Sequence, residues 1–339
     1  MFVTGNYVAA LHYDKAIEDL NANCFSSAIA EFNECLIYNP GYKLAYWYRA
    51  LCKLALGDYI GGFKDYEIRW DICDWRWGIL GDDIFKIRAL PAWQGEPLTG
   101  KRVLFFYEEG YGDAIQMLRY IPVLEQLGAR VTALMPPPLQ RLVRYRFFVP
   151  VIGEVPDDLS QFDYRCPCFG AMVPLKQDID TIPRLAYLKP KRGFKYLGHR
   201  ALGICWSGRS RNELKLKEFL SLLDCDAFNV YSLQPGDTPA PVIPLHADDF
   251  ADTVRAIVHM DHIVTVDTSL AHLAGAMGHP STHVLLPWNT DWRWYNAQVW
   301  YPGIKTYRQE RKDDWSVPFA RIRACLTPMT PQSSIPVMA

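Results

Sequence analysis

The sequence predicts an α/β protein, a pair of Rossmann-like domains preceded by a short all-α block, and three observations lead there. The chain has 339 residues, enough for about two domains with room for a small third. Only Pro40 falls in the first 90 residues, while the other prolines of the 24 lie beyond, so helices are favoured early and loop-punctuated structure later. From Lys101 onward short apolar runs alternate with amphipathic stretches, the pattern of parallel sheets with right-handed crossovers.

The helical block comes first. Ala16, Leu20, Phe25, Ala28 and Phe32 recur 34 residues later as Ala50, Leu54, Tyr59, Gly62 and Tyr66. That is the tetratricopeptide period, with small residues where helices cross and aromatics where they interlock. Pro40 marks the junction of the repeats. Two near-repeats fall below the roughly three that stand alone, so residues 1–70 are expected to lean on the α/β part of the chain. Residues 71–98 show no period and read as a linker, and the exit from the repeats into it is Trp-rich, with Trp70, Trp75 and Trp77.

RVLFFYE (102–108) reads as a buried strand, the stretch ending at Gly128 as a turn and helix, and RVTAL (130–134) as the next strand. This first Rossmann-like domain spans 99–199, with 147–200 Pro-rich and less regular. A second spans 200–325. It contains ALGICWSG (201–208), FNVYSLQPG (228–236) and a strand-helix-strand unit at 262–287, whose helix is opened by Thr268 or Ser269 and closed by Gly278. The tail, 326–339, reads as disordered.

Composition narrows the function. The 16 Phe, 11 Trp and 19 Tyr among 50% hydrophobic residues support packed cores and exclude wholesale disorder. A formal net charge of −1 gives no sign of a general nucleic-acid or membrane-surface binder, although residues 130–200 carry 12 Lys/Arg against 6 Asp/Glu. That surplus suits an acidic acceptor or a solvated face. No window approaches about 18 consecutive apolar residues, so no transmembrane segment is expected. The first residues lack the basic region, apolar run and cleavage site of a secretory leader, and nine cysteines without a CxxC pair suit a reduced chain; the expected location is cytoplasmic. Cys166 and Cys168 read as two small residues beside Pro167 in preference to half a zinc site, and no metal ligand is assigned.

In open α/β sheets ligands sit beyond the carboxyl ends of strands, which directs attention to the loops after 108, 206, 234, 267 and 287. The first, EEGYGDA, has two glycines but not the third of a dinucleotide fingerprint, and no Walker sequence is present. Asp113 there is either the cap of the following helix or a carboxylate base in a cleft. The start of the helix at 269 offers free amide N–H groups and a positive dipole end, suited to a diphosphate. His272, one turn in, either donates to a ligand oxygen or is structural. Asp267, Ser269 and His272 lie too close together in sequence for a nucleophilic triad. Asp224 and Asp226 form a DxD better explained as capping. Lys215 follows a polar loop and either reaches an anionic leaving group or is solvated. Trp288, Asn289, Asp291, Trp292, Arg293 and Trp294 crowd one loop, as interdomain packing or as a platform for a base or sugar.

Stretches 91–124, 206–220, 231–237 and 250–278, followed by LLPWNTDWRWY, resemble the bacterial tetratricopeptide-repeat glycosyltransferases. Their catalytic part is similar to the ADP-heptose:lipopolysaccharide heptosyltransferases of glycosyltransferase family 9, and more remotely to O-GlcNAc transferase. The resemblance implies a GT-B fold, with acceptor bound by the first Rossmann-like half and a nucleotide-diphosphate sugar by the second, and no further cofactor. The family's glycine-aspartate turn falls on Gly112 and Asp113, implying that Asp113 is the acceptor base. Its DT-x-x-H-L-A motif falls on Asp267, Thr268, His272, Leu273 and Ala274, implying donor contacts, with Ser269 and Gln234 beside them. The basic residue after the WSG strand falls on Lys215, implying stabilisation of the leaving diphosphate. Gly112, Trp206, Asn289, Trp292 and Arg293 are the expected sugar or base contacts. The reaction implied is metal-independent, inverting transfer to an acceptor hydroxyl, on a lipopolysaccharide core, a protein side chain or modified DNA. The repeat block offers a surface for a protein partner. The rival is a non-catalytic scaffold in which the GT-B part is a remnant.

Overall fold

The computed structural model describes residues 2–72, 81, 83–188, 200–208, 214–236 and 238–326. Four helices come first, α1 (Phe2–Asn21), α2 (Phe25–Tyr38), α3 (Lys43–Ala55) and α4 (Tyr59–Tyr66), packed as consecutive hairpins. Phe25 and Tyr59, equivalent in the sequence period, each open the second helix of a hairpin. Ala28 and Gly62 are buried where the helices meet. A Cβ on Gly62 would come within 2.7 Å of the Leu54 side chain, so the crossing tolerates nothing larger than glycine without displacing Leu54.

The first sheet is wholly parallel, ordered β3-β2-β1-β4, from β1 (Arg102–Phe106), β2 (Arg130–Leu134), β3 (Val151–Ile152) and β4 (Tyr164–Pro167). Val103 to Phe106 are buried, as an inner strand covered on both faces requires. Part of the expected linker is built structure. It holds α5 (Asp83–Arg88), and the Trp93 amide donates to the Arg165 carbonyl at 3.1 Å while the Arg165 amide donates to the Pro91 carbonyl at 2.8 Å. Trp75 and Trp77 lie outside the described residues. The single helix expected after β1 is instead α6 (Tyr111–Met117), a 3-10 turn at Leu118–Tyr120, and α7 (Ile121–Gln126). Pro122 has no N–H to donate and sits in the first turn of α7, where none is needed. Gly128 closes the segment at φ +92°, a conformation glycine adopts without strain.

Packing divides the chain into two compact units that do not follow chain order. One holds residues 1–135, 147–184 and 289–300, and the other 136–146, 185–288 and 301–339. Against the division expected at 70, 98, 199 and 325, the helical block shares a unit with the first sheet. Residues 289–300, with α12 (Trp292–Tyr295) and α13 (Ala297–Trp300), return to it, whereas most of α8 (Pro137–Phe147) joins the second unit. The bond between block and sheet is chemical as well as apolar. Arg69, 1% exposed in the 3-10 turn Glu67–Asp71, donates from Nε to Glu108 Oε2 at 2.7 Å, and the Phe169 amide donates to Glu108 Oε1 at 3.0 Å. Phe63 and Tyr66 pack on Phe169 at 6.2 and 5.5 Å, and Tyr59 meets the edge of Trp300 at 5.4 Å.

The second sheet is also parallel, ordered β10-β9-β8-β5-β6-β7. Its strands are β5 (Ala201–Cys205), β6 (Asn229–Ser232), β7 (Ile243–Pro244), β8 (His262–Val266), β9 (Thr282–Leu286) and β10 (Ile304–Arg308). Helices α9 (Leu216–Leu223), α10 (Phe250–Ile257), α11 (Ser269–Met277) and α14 (Ser316–Cys325) complete it, with Phe219 and Phe319 meeting edge to face at 5.3 Å in the core. Asp224 ends α9 at φ +50°, a helix-terminating role in line with the capping reading of the DxD. Cys166 and Cys168 are buried, and burial pushes both thiols up.

A buried polar chain crosses the second sheet. His262 Nδ1 meets Ser281 Oγ at 2.7 Å, Ser281 Oγ meets His283 Nε2 at 3.0 Å, and His283 Nδ1 meets Tyr307 Oη at 2.9 Å. Burial pushes the His283 imidazole down to about 3, with the charges of His262 and Lys305 acting the same way. A ring held neutral when folded but protonated when unfolded contributes stability above its ordinary value of 6.5, and loses it as pH falls toward 3. Thermal melts should therefore decline across pH 6.5 to 3, by on the order of 4 kcal/mol from this residue. His283→Asn should flatten that decline; an unchanged slope would assign it to other groups.

Candidate functional site

In each sheet the chain reverses its direction of strand addition beside the first strand. β1 has β2 on one side and β4 on the other, and β5 has β6 on one side and β8 on the other. The crevice beyond the carboxyl ends of such neighbours is where open α/β sheets hold ligands.

At the end of β1 the chain runs through Glu108 and Glu109 into α6. The helix is capped by Gly110, and Asp113 is its third residue, so the capping reading of Asp113 is corrected in detail. Its Oδ2 reaches back to accept the Gly110 N–H at 2.8 Å, the reciprocal half of a capping box. Its Oδ1 accepts from Arg293 Nη2. Gly112 lies within the same first turn.

Arg293 is the hub of this site. Nε donates to Gln116 Oε1 at 2.7 Å, and Nη1 to Asp291 Oδ1 at 2.8 Å. Its guanidinium lies 4.4 Å from the Trp292 ring centre and 5.4 Å from that of Phe169. Asp291 also caps α12. Glu109 completes the group, accepting the Tyr66 O–H at 2.7 Å. Burial pushes its carboxyl up to about 7, and the Asp113 charge adds to this; Arg293 and the Tyr66 hydrogen bond oppose both. One guanidinium faces three carboxylates, and Glu109 is the one that burial raises toward neutrality.

The aromatic loop is resolved by these contacts. Trp292 is 4% exposed and packs edge-on against Phe63 at 5.7 Å, and Asn289 Oδ1 accepts from Asn23 Nδ2 at 3.1 Å. Both bind the loop to the helical block, the packing reading of this loop; Asn289 stays exposed. Arg293, expected in that role too, is the ion partner of Asp113.

In the second unit, Gln234 accepts through Oε1 from the Ser207 N–H at 3.1 Å and from the Cys205 thiol at 3.2 Å. Thr268 opens α11 without a side-chain cap, its Oγ1 standing 3.1 Å from Thr265 Oγ1. A Cβ on Gly208 would approach the Thr268 methyl within 2.8 Å, so the loops after β5 and β8 are in contact. Ser207, Gln234, Asp267, Thr268 and Ser269 are thus gathered at the carboxyl edge of this sheet.

Two of the residues expected at the donor, Leu273 and His272, are packed inside. Leu273 is fully buried and belongs to the core. His272 is 5% exposed with Nδ1 at 2.9 Å from Tyr301 Oη. The small residues of α11 serve the core: a Cβ on Gly275 would strike the Tyr301 ring at 2.5 Å. Trp206 is 9% exposed within the core cluster of the second sheet. Lys215 is exposed at the start of α9. The loop before it, 209–213, lies outside the described residues.

Sequence reasoning missed Glu109, Tyr66 and Gln116. The only signal for Glu109 was its place one step past a buried strand in YEEGYGD.

No family model matches the chain. Protein FlbA of Caulobacter vibrioides is 22% identical over 378 aligned positions, which take in 93% of this chain and 61% of that protein; the chain spans about three fifths of the length of the curated relative it matches. Among solved structures, the dodecameric iron-containing heptosyltransferase TibC in complex with ADP-D-beta-D-heptose gives a TM-score of 0.49 at 11% identity over 64% of each chain. TibC comes from enterotoxigenic E. coli H10407. A glycosyl transferase family 9 protein of Veillonella parvula gives 0.47 at 10% identity, over 64% of this chain and 88% of that one. E. coli heptosyltransferase WaaC with ADP gives 0.45 at 12%, over 66% and 98%.

Proposed function

We propose that the chain is an inverting glycosyltransferase that uses a nucleotide-diphosphate sugar without a metal ion. The observation that carries this reading is Asp113, a carboxylate at the mouth of the first sheet held in place by an amide and a buried guanidinium. Such fixed donors orient a proton acceptor and cost no reorganisation during reaction. The second unit supplies the complementary feature, an uncapped helix start at α11 beside Gln234 and Ser207, suited to a diphosphate.

In this mechanism Asp113 accepts the proton of the acceptor hydroxyl. The freed oxygen forms a bond to the anomeric carbon as the bond from that carbon to the diphosphate oxygen breaks. The leaving electron pair is stabilised by the amides of α11 and by Lys215. The first unit handles the acceptor and the second the donor.

A thermal-shift screen against nucleotide sugars, ADP-heptose included, tests the donor assignment. A true donor at a hundred times its Kd should add about 2.7 kcal/mol of stability. If no nucleotide sugar or nucleotide diphosphate raises the melting temperature, the reading fails. Turnover of the stabilising donor should stay within about twofold in excess EDTA, since positive charge at the diphosphate comes from protein groups. Collapse of turnover, restored by a divalent cation, would overturn the metal-independent mechanism and leave transfer itself in place.

A further inference from the structure

We propose that Glu109 is a positioning residue for acceptor activation, acting through Asp113 and Arg293; the role rests on the glycosyltransferase reading above. Glu109 lies at the carboxyl end of β1, four residues before Asp113. It faces Tyr66 from α4, Asp113 from α6, Arg293 from α12 and Glu108 beside it on its own segment. Asp291 engages Arg293 from another direction.

The arrangement has two charge states. With Glu109 neutral, Arg293 is balanced by Asp113 and Asp291. With Glu109 ionised, three carboxylates share one guanidinium, and less of its positive charge is left to hold Asp113 in place. The proton leaving the acceptor hydroxyl goes to Asp113, and the charge on Glu109 sets the field in which it is taken up. The Tyr66 hydrogen bond favours the ionised state of Glu109 and ties it to the helical block. Tyr66 is 1% exposed.

The test uses the full chain and the variant Glu109→Gln, which imitates the neutral state and can still accept the Tyr66 O–H. Turnover is read as hydrolysis of the nucleotide sugar that stabilises the chain best, with water as acceptor. Turnover of the wild type should fall below about pH 7. The variant should run about tenfold or more slower at pH 8 with KM for the donor unchanged, and should lack that limb. Tyr66→Phe should move the limb to higher pH, because it removes a bond to the ionised carboxylate.

A second measurement reads Glu109 without any reaction. A carboxyl pushed up to about 7 in the fold contributes stability that is complete below its ordinary value of 4.5 and is lost as pH rises to 7. The melting temperature of the wild type should carry that decline, and Glu109→Gln should lack it. Equal melting profiles would overturn the charge-state argument. A sugar-hydrolysing variant with an unchanged pH profile would overturn the role of Glu109 alone. The melting signature in a chain that no nucleotide sugar or nucleotide diphosphate stabilises would overturn the glycosyltransferase reading, and this role with it.

Discussion

Asp113→Asn should cut turnover by at least about a hundredfold, the lower range for losing a general base. Its structural cost is larger than a capping residue alone would suggest. An asparagine can present its oxygen either to the Gly110 amide or to Arg293, and its amide group then faces the other donor. The Asp113–Arg293 ion pair is lost while Asp291 and Gln116 remain as partners. A loss of about 1–3 kcal/mol comes from leaving a buried polar group incompletely paired. The measurement is turnover at saturating donor beside a thermal melt and calorimetric donor affinity. Donor affinity should hold, because the residues proposed to bind the donor belong to the second unit. A variant that melts lower but turns over at the wild-type rate would leave Asp113 with structural work only.

Removing the helical block should have the second large effect. A chain beginning near Asp82 loses Arg69, so Glu108 is left as a buried carboxylate with the Phe169 amide as its remaining described partner. It also strips Tyr59, Phe63 and Tyr66 from Phe169, Trp292 and Trp300. Breaking a buried pair by removing one partner costs about 3–5 kcal/mol, and the apolar loss adds to it. Insoluble or unfolded protein is the expected outcome. Arg69→Met in the full chain isolates the electrostatic part and should lower the melt by that cost alone. A soluble truncated chain melting at the full-length temperature would mean that the block is an independent arm.

Much of the fold was legible because it rests on local chemistry. The strands at 130–134, 201–205, 262–266 and 282–286 are short apolar runs bounded by turn residues. α11 begins at Ser269 and closes on Gly278 at φ +68°, where glycine is the residue the turn requires. The 34-residue period fixed both hairpins, since Phe25 and Tyr59 each begin a helix. Boundaries failed where the cause was distant. α6 and α7 read as one helix because Pro122 is compatible with a helix start, and only the structure shows that a start occurs there. Residues 91–93 read as part of a linker because their order comes from pairing with Arg165, far along the chain.

The site divides along the same line. The sequence by itself determined the parallel α/β architecture, the repeated hairpins, and the strand ends where Asp113, Gln234, Asp267 and Thr268 stand, because periodicity, capping and turn chemistry act within a few residues. Only the tertiary structure decided that Arg293 belongs to Asp113, that Tyr66 holds Glu109, and that Trp292, His272 and Leu273 are packed inside. Those outcomes depend on which charges share one buried environment and which faces find a partner. Coulomb interaction and desolvation act through space between residues as far apart as 113 and 293, and no local pattern records their separation.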